Sequence, residues 1–338
     1  MNALKEKKNT FKEINEDFLA GQRLILGFNG LKFNNDLKHI IANIKACGII
    51  LFKRNIESFS QVKTLCKECQ DYALECGLPP LFISIDQEGG KVARLQKPFT
   101  IFKGNPFIET AKQAKDFAFT VANELKEIGV NMNFAPVLDV VFECKDSIMK
   151  DRAFKKDAKN VSKLGISVIK TMQKQGIMAV AKHFPGIGRT IKDSHFSLPV
   201  LDIDLKMLEQ SDLIPFVDAK NQKVAGIMLS HIFYPKLDKK WQASLSPFIA
   251  NNLLRKKIGY NGLVITDDLD MKAIEHEIET CMKQILTSKI DIALICHKGP
   301  DIDKAFQEIK RLIAKSEDLF IKSLESVKRI LKYKEEFL

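Results

Sequence analysis

Eight short apolar runs, alternating with segments of helical period, constrain the fold of this chain more than any other feature. The runs lie at residues 24–28, 48–52, 81–86, 131–136, 177–183, 226–231, 263–268 and 292–296. Segments with helical spacing of apolar residues fall between them, at about 35–47, 59–76, 109–128, 157–175, 203–219, 246–258, 271–288 and 301–335. Apolar runs with little polar alternation predict strands that are covered on both faces, as in a parallel sheet wrapped by helices.

The number of units and their spacing predict an α/β fold, a single-domain (β/α)8 TIM-type barrel. Eight strand–helix units within about 300 residues is the usual size of such a barrel. The alternative is a doubly wound open sheet, but the first strand–helix turn, Phe28-Asn29-Gly30-Leu31, lacks the spaced glycines of a dinucleotide-binding fingerprint. Because no linker rich in Pro, Ser or Gly interrupts the chain, we expect residues 1–338 to form one domain. The N-terminal ~18 residues and a C-terminal helix would flank the barrel.

Composition and charge narrow the class of protein. The chain has no apolar run of membrane-spanning length, and its amino terminus is charged where a secretory signal would be apolar. These observations predict a cytoplasmic protein with no membrane association. The formal net charge is +11, but the lysines are scattered and form no stripe with interleaved aromatic residues, so we expect no nucleic-acid partner.

The seven cysteines indicate neither a disulfide scaffold nor a metal site. Their odd number argues against complete pairing. Cys66, Cys69 and Cys76 fall on one helical stripe with Val62 and Ala73, which predicts that they are buried as small apolar residues.

Polar residues recur at the carboxyl ends of four predicted strands. They are Asp86, Lys182 with His183, His231, and Asp267 with Asp268. Barrel enzymes carry their chemistry at this end, so the recurrence predicts a common site. Along the seventh strand, alternation of side chains predicts that only one of the two aspartates points inward and that the other orients or packs.

The segment 182–200, KHFPGIGRTIKDSHFSLPV, allows several chemistries. A metal site of His183, His195, His231 and aspartates is disfavoured, because no His-x-His motif is present. A phosphate cradle at Gly186–Gly188 lacks the rest of a P-loop. An acid–base pair of Asp193 and His195 is favoured over two solvated loop residues, since a carboxylate can orient an imidazole and raise its basicity. With an aspartate nucleophile from the seventh strand, this pair would suit a retaining glycosidase.

These residues also carry a family resemblance. Residues 182–190 (KHFPGIGRT), followed by Asp193-Ser194-His195 and Leu198-Pro199, resemble the signature of family 3 glycoside hydrolases of the bacterial N-acetyl-β-glucosaminidase type. Four further motifs agree in order: residues 85–90 (IDQEGG) with Arg94, 133–139 (NFAPVLD), 151–154 (DRAF) and 265–269 (ITDDL).

The resemblance implies a function and a set of site residues. It makes Asp267 the nucleophile, His195 the acid/base and Asp193 its partner. It gives binding of the terminal N-acetylglucosamine to five residues: Asp86, Arg94, Arg152, Lys182 and His183. It further implies a cytoplasmic enzyme of peptidoglycan recycling that removes N-acetylglucosamine from anhydro-N-acetylmuramic acid, with or without its peptide. No cofactor and no metal are implied, the partner is a small carbohydrate, and we expect a monomer.

The chain departs from the family pattern at three positions. Ile187 and Arg189 stand where the family commonly has His and Asp, and Ala153 stands for a usual Ser. None of these changes removes an implied catalytic group, but two lie in a loop that we expect to move, with Gly186 and Gly188 as its joints. The alternatives are a phosphorylase or a broader β-glycosidase using the same site, and a non-catalytic binder of muropeptides.

Overall fold

The computed structural model describes residues 15–142, 146–191, 198–297 and 299–338. Eight parallel strands close into a barrel, and a two-stranded antiparallel hairpin, β4–β5, follows the third strand. The strands are β1 (Leu24–Leu26), β2 (Gly48–Leu51), β3 (Phe82–Ile85), β4 (Gln87–Gly89), β5 (Val92–Ala93), β6 (Met132–Asn133), β7 (Met178–Phe184), β8 (Gly226–Leu229), β9 (Leu263–Asp268) and β10 (Ile292–Ile295). Pairing of β1 with β10 completes the ring, so the predicted (β/α)8 barrel and its eight strands are confirmed.

Helices surround the barrel in the predicted alternation. They are α1 (Glu16–Gly21), α2 (Asn35–Lys38), α3 (Phe59–Glu75), α4 (Ala111–Glu127), α5 (Ala158–Lys174), α6 (Leu205–Glu209), α7 (Ile214–Asn221), α8 (Ile278–Thr287), α9 (Pro300–Lys315) and α10 (Glu317–Phe337). The segments His39–Asn43 and Phe248–Lys257 are π-helical. Among the described residues, none of these helices combines the length and apolar character needed to cross a membrane.

Short polar residues begin the long helices. The side chains of Ser58, Thr110, Asp157 and Ser316 each accept a hydrogen bond from a backbone N–H in the first turn of the helix that follows. Such N-caps satisfy donors that have no partner within the helix. They fix where α3, α4, α5 and α10 start.

Several details of the predicted helices are wrong, and two of them have a clear physical reason. The segment 203–219 is split into α6 and α7, because Pro215 has no N–H to continue a helix and is found in the first turn of α7. The buried stripe of α3 contains Val62, Cys66 and Cys69 as predicted, but Cys76 is exposed because the helix has already ended at Glu75.

The barrel interior is packed with side chains at its amino end. Alternate residues of the barrel strands, among them Ile25, Phe82 and Ile265, form this inner core. Helix α10 closes the amino end of the barrel with Ile330 and Lys334. The Lys334 ammonium donates to Gln22 Oε1 at 3.1 Å and lies 5.3 Å from the centre of the Phe82 ring. The carboxyl ends of the strands, where the polar residues recur, are therefore at the opposite, open end.

Candidate active site

The β4–β5 hairpin brings three charged residues to the carboxyl end of β3. Asn133, at the end of β6, accepts the Gln87 N–H at 3.0 Å and donates to the Gln87 carbonyl at 3.1 Å. The Gln87 side chain in turn accepts the N–H of Arg94 at 2.8 Å. Gly89 and Gly90, with φ of 84° and 64°, make the turn in a left-handed conformation that favours glycine. Asp86, Glu88 and Arg94 are thereby held by one short ribbon.

Asp86 lies between two cations. Its carboxylate accepts from Lys182 Nζ at 2.6 Å and from Arg94 Nη2 at 2.9 Å. Burial would raise the pKa of Asp86, but Lys182 and Arg94 outweigh it and hold that pKa well below its usual range. Asp86 is therefore an ionised acceptor, suited to binding sugar hydroxyls.

Glu88 bridges Lys182, which it shares with Asp86, and a further cation, Arg152. Arg152 contacts it through two bonds, Nε to Oε2 at 3.0 Å and Nη2 to Oε1 at 2.7 Å, and Lys182 Nζ lies 2.7 Å from Oε1. Despite its burial, Lys182 and Arg152 lower the pKa of Glu88 to about 2. Burial would also lower the pKa of Lys182, but Asp86 and Glu88 raise it above its usual value. The side chains of Asp86, Glu88, Lys182 and Arg152 are therefore all charged at neutral pH.

His183 is oriented by a buried carboxylate. Its Nδ1 lies 2.8 Å from Asp139 Oδ2, while Asp139 Oδ1 accepts the N–H of Ile187 at 2.8 Å. A carboxylate at Nδ1 favours the tautomer with its proton on that atom, which leaves Nε2 to accept. Arg152 Nη2 approaches Nε2 at 3.5 Å, in agreement with this assignment.

Asp267 and Asp268 at the end of β9 both line the cavity. Alternation along the strand predicts one inward aspartate and a second that orients or packs, and the Asp268 side chain does accept backbone N–H groups from Cys296 and Asp270, although it also lines the cavity. Asp267 Oδ1 accepts the N–H of Asp268 at 2.9 Å. Burial raises the pKa of Asp268 to about 6.

A cavity of about 420 Å³ opens at the carboxyl end of the barrel. Six residues predicted for the site line it: Asp86, Arg94, Arg152, Lys182, His183 and Asp267. The remaining wall is largely apolar and includes Phe52, Phe134 and Met228. The other two predicted site residues, Asp193 and His195, lie outside the described residues, so their roles stay predictions. A cavity of this size with a few convergent polar groups is typical of small-ligand sites.

The first part of the signature loop is packed tightly. An added Cβ at Gly186 would lie 2.9 Å from the Asp212 Cβ, and one at Gly188 would lie 2.0 Å from the Val140 carbonyl oxygen. The Gly186 carbonyl also accepts from the Tyr234 hydroxyl at 2.9 Å. This close packing gives the two glycines a packing requirement, and their role as joints stays a prediction.

The two departures from the family pattern that lie in the loop have different surroundings. Ile187 is part of the cavity wall and adds apolar surface there. Arg189 is not part of that lining: it donates to Asp212 Oδ2 at 3.1 Å and to Ser211 Oγ at 3.0 Å, and its guanidinium lies 3.7 Å from the centre of the Phe142 ring. Arg189 therefore anchors the loop to its neighbours, whereas Ile187 changes the cavity itself.

Side chains of the kinds that bind metal ions also lie beside the cavity. In the described ranges, ligand atoms of Asp268, Asp270 and His297 lie within 4.8 Å of one another, a spacing that could hold an ion. The His297 side chain is 62% exposed, and Asp270 Oδ2 already accepts the His297 N–H at 2.7 Å. His231, considered as a ligand from the sequence, has both ring nitrogens engaged by Ser244 and by the Asp268 carbonyl.

Sequence reasoning missed two residues that organise the site, Glu88 and Asp139. Both are charged residues within motifs that the sequence already singled out, and both are fully buried. A buried carboxylate requires a partner. The three cations predicted at the site, Arg94, Arg152 and Lys182, need carboxylates nearby to balance their charge. Their number was therefore a signal that further carboxylates lie at the site.

Comparison with known proteins identifies the family. The model of the glycosyl hydrolase family 3 N terminal domain matches residues 5–332. A beta-hexosaminidase from Idiomarina loihiensis is 30% identical over 334 residues, which cover 93% of this chain and 98% of the relative. One from Thiobacillus denitrificans is 34% identical over 297 residues, which cover 85% of this chain and 81% of the relative.

Solved structures agree with this assignment. A family 3 beta-N-acetylglucosaminidase from Paenibacillus has a TM-score of 0.91 and 33% identity, and the match covers 96% of this chain and 62% of that one. A family match over nearly the whole chain, on a barrel with its charged cavity at the expected end, confirms the predictions of family and of glycosidase activity. The chain therefore belongs to glycosyl hydrolase family 3 and is a glycosidase.

Proposed function

We propose that this glycosidase is a retaining exo-β-N-acetylglucosaminidase that releases terminal N-acetylglucosamine from anhydro-N-acetylmuramic acid. One observation carries the proposal: Asp267 and the five residues expected to bind the sugar line one cavity, although they come from distant parts of the chain. The names of the relatives from Idiomarina loihiensis and Paenibacillus support the choice of sugar.

The charged groups divide the work in this proposal. Asp86 accepts sugar hydroxyls, while Lys182, Arg94 and Arg152 donate charged hydrogen bonds to the sugar oxygens. The Asp267 carboxylate attacks the anomeric carbon, the bond to the leaving oxygen breaks, and a covalent glycosyl-aspartate forms. His195, paired with Asp193, gives its proton to the leaving oxygen and then takes one from the water that releases the sugar.

The finer parts of the proposal come from the family resemblance and from the composition of the sequence. They are a cytoplasmic location, a part in peptidoglycan recycling, tolerance of a peptide on the muramic acid, a monomeric state, and one domain spanning residues 1–338. Family membership favours an enzyme over a non-catalytic binder of muropeptides.

Trapping of the intermediate tests the mechanism. A fluorinated N-acetylglucosamine donor slows hydrolysis of the intermediate, so the label is expected on the peptide that contains Asp267, as located by mass spectrometry. The Asp267→Asn protein is the matched control and should remain unlabelled. Label on another residue would refute Asp267 as the nucleophile.

Turnover of two aryl glycosides tests the substrate. The N-acetylglucosaminide should be cleaved far faster than the glucoside; equal rates would favour a broader β-glycosidase. Product analysis with and without phosphate separates hydrolysis from phosphorolysis, since a phosphorylase would form the sugar 1-phosphate.

A further inference from the structure

We propose that Asp268 and His231 are positioning residues that hold the Asp267 carboxylate in place for its attack on the sugar. The inference rests on the proposed function, because it requires Asp267 to be the nucleophile. It assigns a task to His231, whose place at the end of a strand was noticed in the sequence but which received no role.

Asp268 ties the end of β9 to the end of β10. Its Oδ1 accepts two backbone N–H groups, from Cys296 at 3.0 Å and from Asp270 at 3.1 Å. The regular pairing of β9 with β10 is interrupted between Ile292 and Leu294. The side chain of Asp268 thus supplies a link between the strands where the backbone ladder is irregular.

His231 holds the same residue from the other side. Its Nε2 lies 2.8 Å from the Asp268 carbonyl oxygen, and because a carbonyl only accepts, Nε2 carries a proton. Its Nδ1 lies 2.6 Å from Ser244 Oγ. Burial lowers the pKa of His231, which favours the neutral ring with Nδ1 accepting from the Ser244 hydroxyl. His231 therefore acts as a fixed donor that connects the end of β8 to β9.

These contacts hold Asp268, the residue whose N–H belongs to the peptide that joins it to Asp267. This N–H donates to Asp267 Oδ1 at 2.9 Å and so orients the carboxylate. The Asp268 carbonyl is held by His231 and by the Met271 N–H at 3.1 Å, and the Asp268 side chain is held by Cys296. A rotation of the Asp267 carboxylate would break its bond to the Asp268 N–H, and the other bonds fix where that N–H lies.

The Asp268 carboxyl has an alternative task, since it lines the cavity and could exchange a proton with substrate. Asparagine at position 268 separates the two ideas. It keeps an oxygen that accepts from Cys296 and Asp270, but it removes the charge and the acid. A positioning role predicts that Asp268→Asn is active and that Asp268→Ala is impaired.

The test compares these variants with His231→Gln on an activated aryl N-acetylglucosaminide. Asp268→Ala should lower both kcat and the rate of trapping by a fluorinated sugar about 100-fold, with KM within about threefold, because a misplaced nucleophile impairs the chemical step and not binding. His231→Gln should lose about tenfold, and Asp268→Asn less than about fivefold. The exposed pair of His39 and Asp303, 2.8 Å apart, provides the matched controls His39→Gln and Asp303→Asn, which should leave the rates unchanged.

Three results would overturn the inference. Asp268→Asn as impaired as Asp268→Ala would assign the charge or proton a direct task. A raised KM with unchanged kcat would assign binding. Trapping of His231→Gln at the wild-type rate would exclude the link through the carbonyl, even where Asp268→Ala fails to fold. Failure of the proposed function is a separate result, because the wild-type protein itself would then carry no label on Asp267.

Discussion

Lys182 and Lys334 occupy opposite ends of the same barrel and are equally buried, with 2% and 3% of their surface exposed. Lys182 contacts Asp86 and Glu88 at 2.6 and 2.7 Å, and they raise its pKa despite the burial. Lys334 donates to the neutral amide of Gln22 at 3.1 Å, and burial lowers its pKa to about 8.

The contrast shows that the partner, and not the depth of burial, decides the charge of a lysine in this protein. An ammonium removed from water is destabilised unless carboxylates compensate for the lost hydration. Two carboxylates compensate Lys182 fully for its lost hydration at the end of the barrel that carries the cavity. Lys334, at the end that α10 covers, has only a neutral amide as its partner and is not fully compensated. The charge of Lys182 can therefore bind a ligand, whereas the charge of Lys334 only opposes folding.

The largest effect on stability and activity is expected from Lys182→Met, which removes the lysine shared by the two carboxylates at the cavity. This change leaves Asp86 and Glu88 with one cation fewer, so the free energy of unfolding should fall by about 3 kcal/mol. On an aryl N-acetylglucosaminide, kcat/KM should fall at least ~1000-fold, since both the cation and the geometry of Asp86 are lost. Denaturant unfolding and steady-state kinetics measure the two losses. A variant as stable as the wild-type protein would contradict the proposed dependence of the two carboxylates on Lys182.

Glu88→Gln tests whether the cations need their second carboxylate. The variant should lower kcat/KM about tenfold, mainly through KM, because Arg152 and Lys182 lose the group that aligns them. Glu308 in α9, which is also buried and also makes two bonds to an arginine, the exposed Arg311, offers a matched control. Glu308→Gln should keep wild-type kinetics, and equal losses in both variants would show that the effect is not specific to the site.

The pH dependence of the free energy of unfolding tests the lowered pKa of Lys334. Because the pKa of Lys334 drops from its usual 10.5 to about 8 in the folded chain, the unfolded chain binds more protons between these values. The free energy of unfolding should therefore rise with pH across this window. Relative to Lys334→Met, the wild-type protein should gain about 2 kcal/mol between pH 7 and pH 9.5, measured by urea unfolding. A constant difference between the two proteins would show that Lys334 has a normal pKa.

The smallest effect is expected for Lys334→Met at pH 7. Methionine fills a similar volume without a charge, so the free energy of unfolding should increase by about 1 kcal/mol, less than the full desolvation penalty because Gln22 loses its partner. Turnover should match that of the wild-type protein, since Lys334 lies at the opposite end of the barrel from the cavity. Destabilisation at pH 7 would indicate that the Gln22 and Phe82 contacts outweigh the penalty.

The sequence predicted the barrel because each strand is a compact apolar run, and it predicted the end that carries the site because polar residues such as Asp86 and His183 follow those runs. It could not predict that both aspartates of β9 line the cavity. Alternation assumes a regular strand, and β9 is irregular where it pairs with β10.

Contacts between distant segments were also beyond sequence pattern. Glu88 and Asp139 acquire their partners only when β3, β6 and β7 become neighbours in the closed ring. Likewise, the Val140 carbonyl leaves no room for a side chain at Gly188, and this contact joins loops that are far apart in the chain. Local periodicity contains no information on such distances.

The ribbon from Asp86 to Arg94 has a consequence for how this site tolerates change. Three of its charged groups are spaced by one hairpin whose geometry depends on Gly89, Gly90 and the Gln87 side chain. A single inserted or deleted residue would shift the register of all three groups together, whereas a point substitution alters one. Variants of this protein should therefore tolerate substitutions in this stretch far more readily than insertions or deletions. The spacing of the three charged groups depends on the length of the hairpin as a whole.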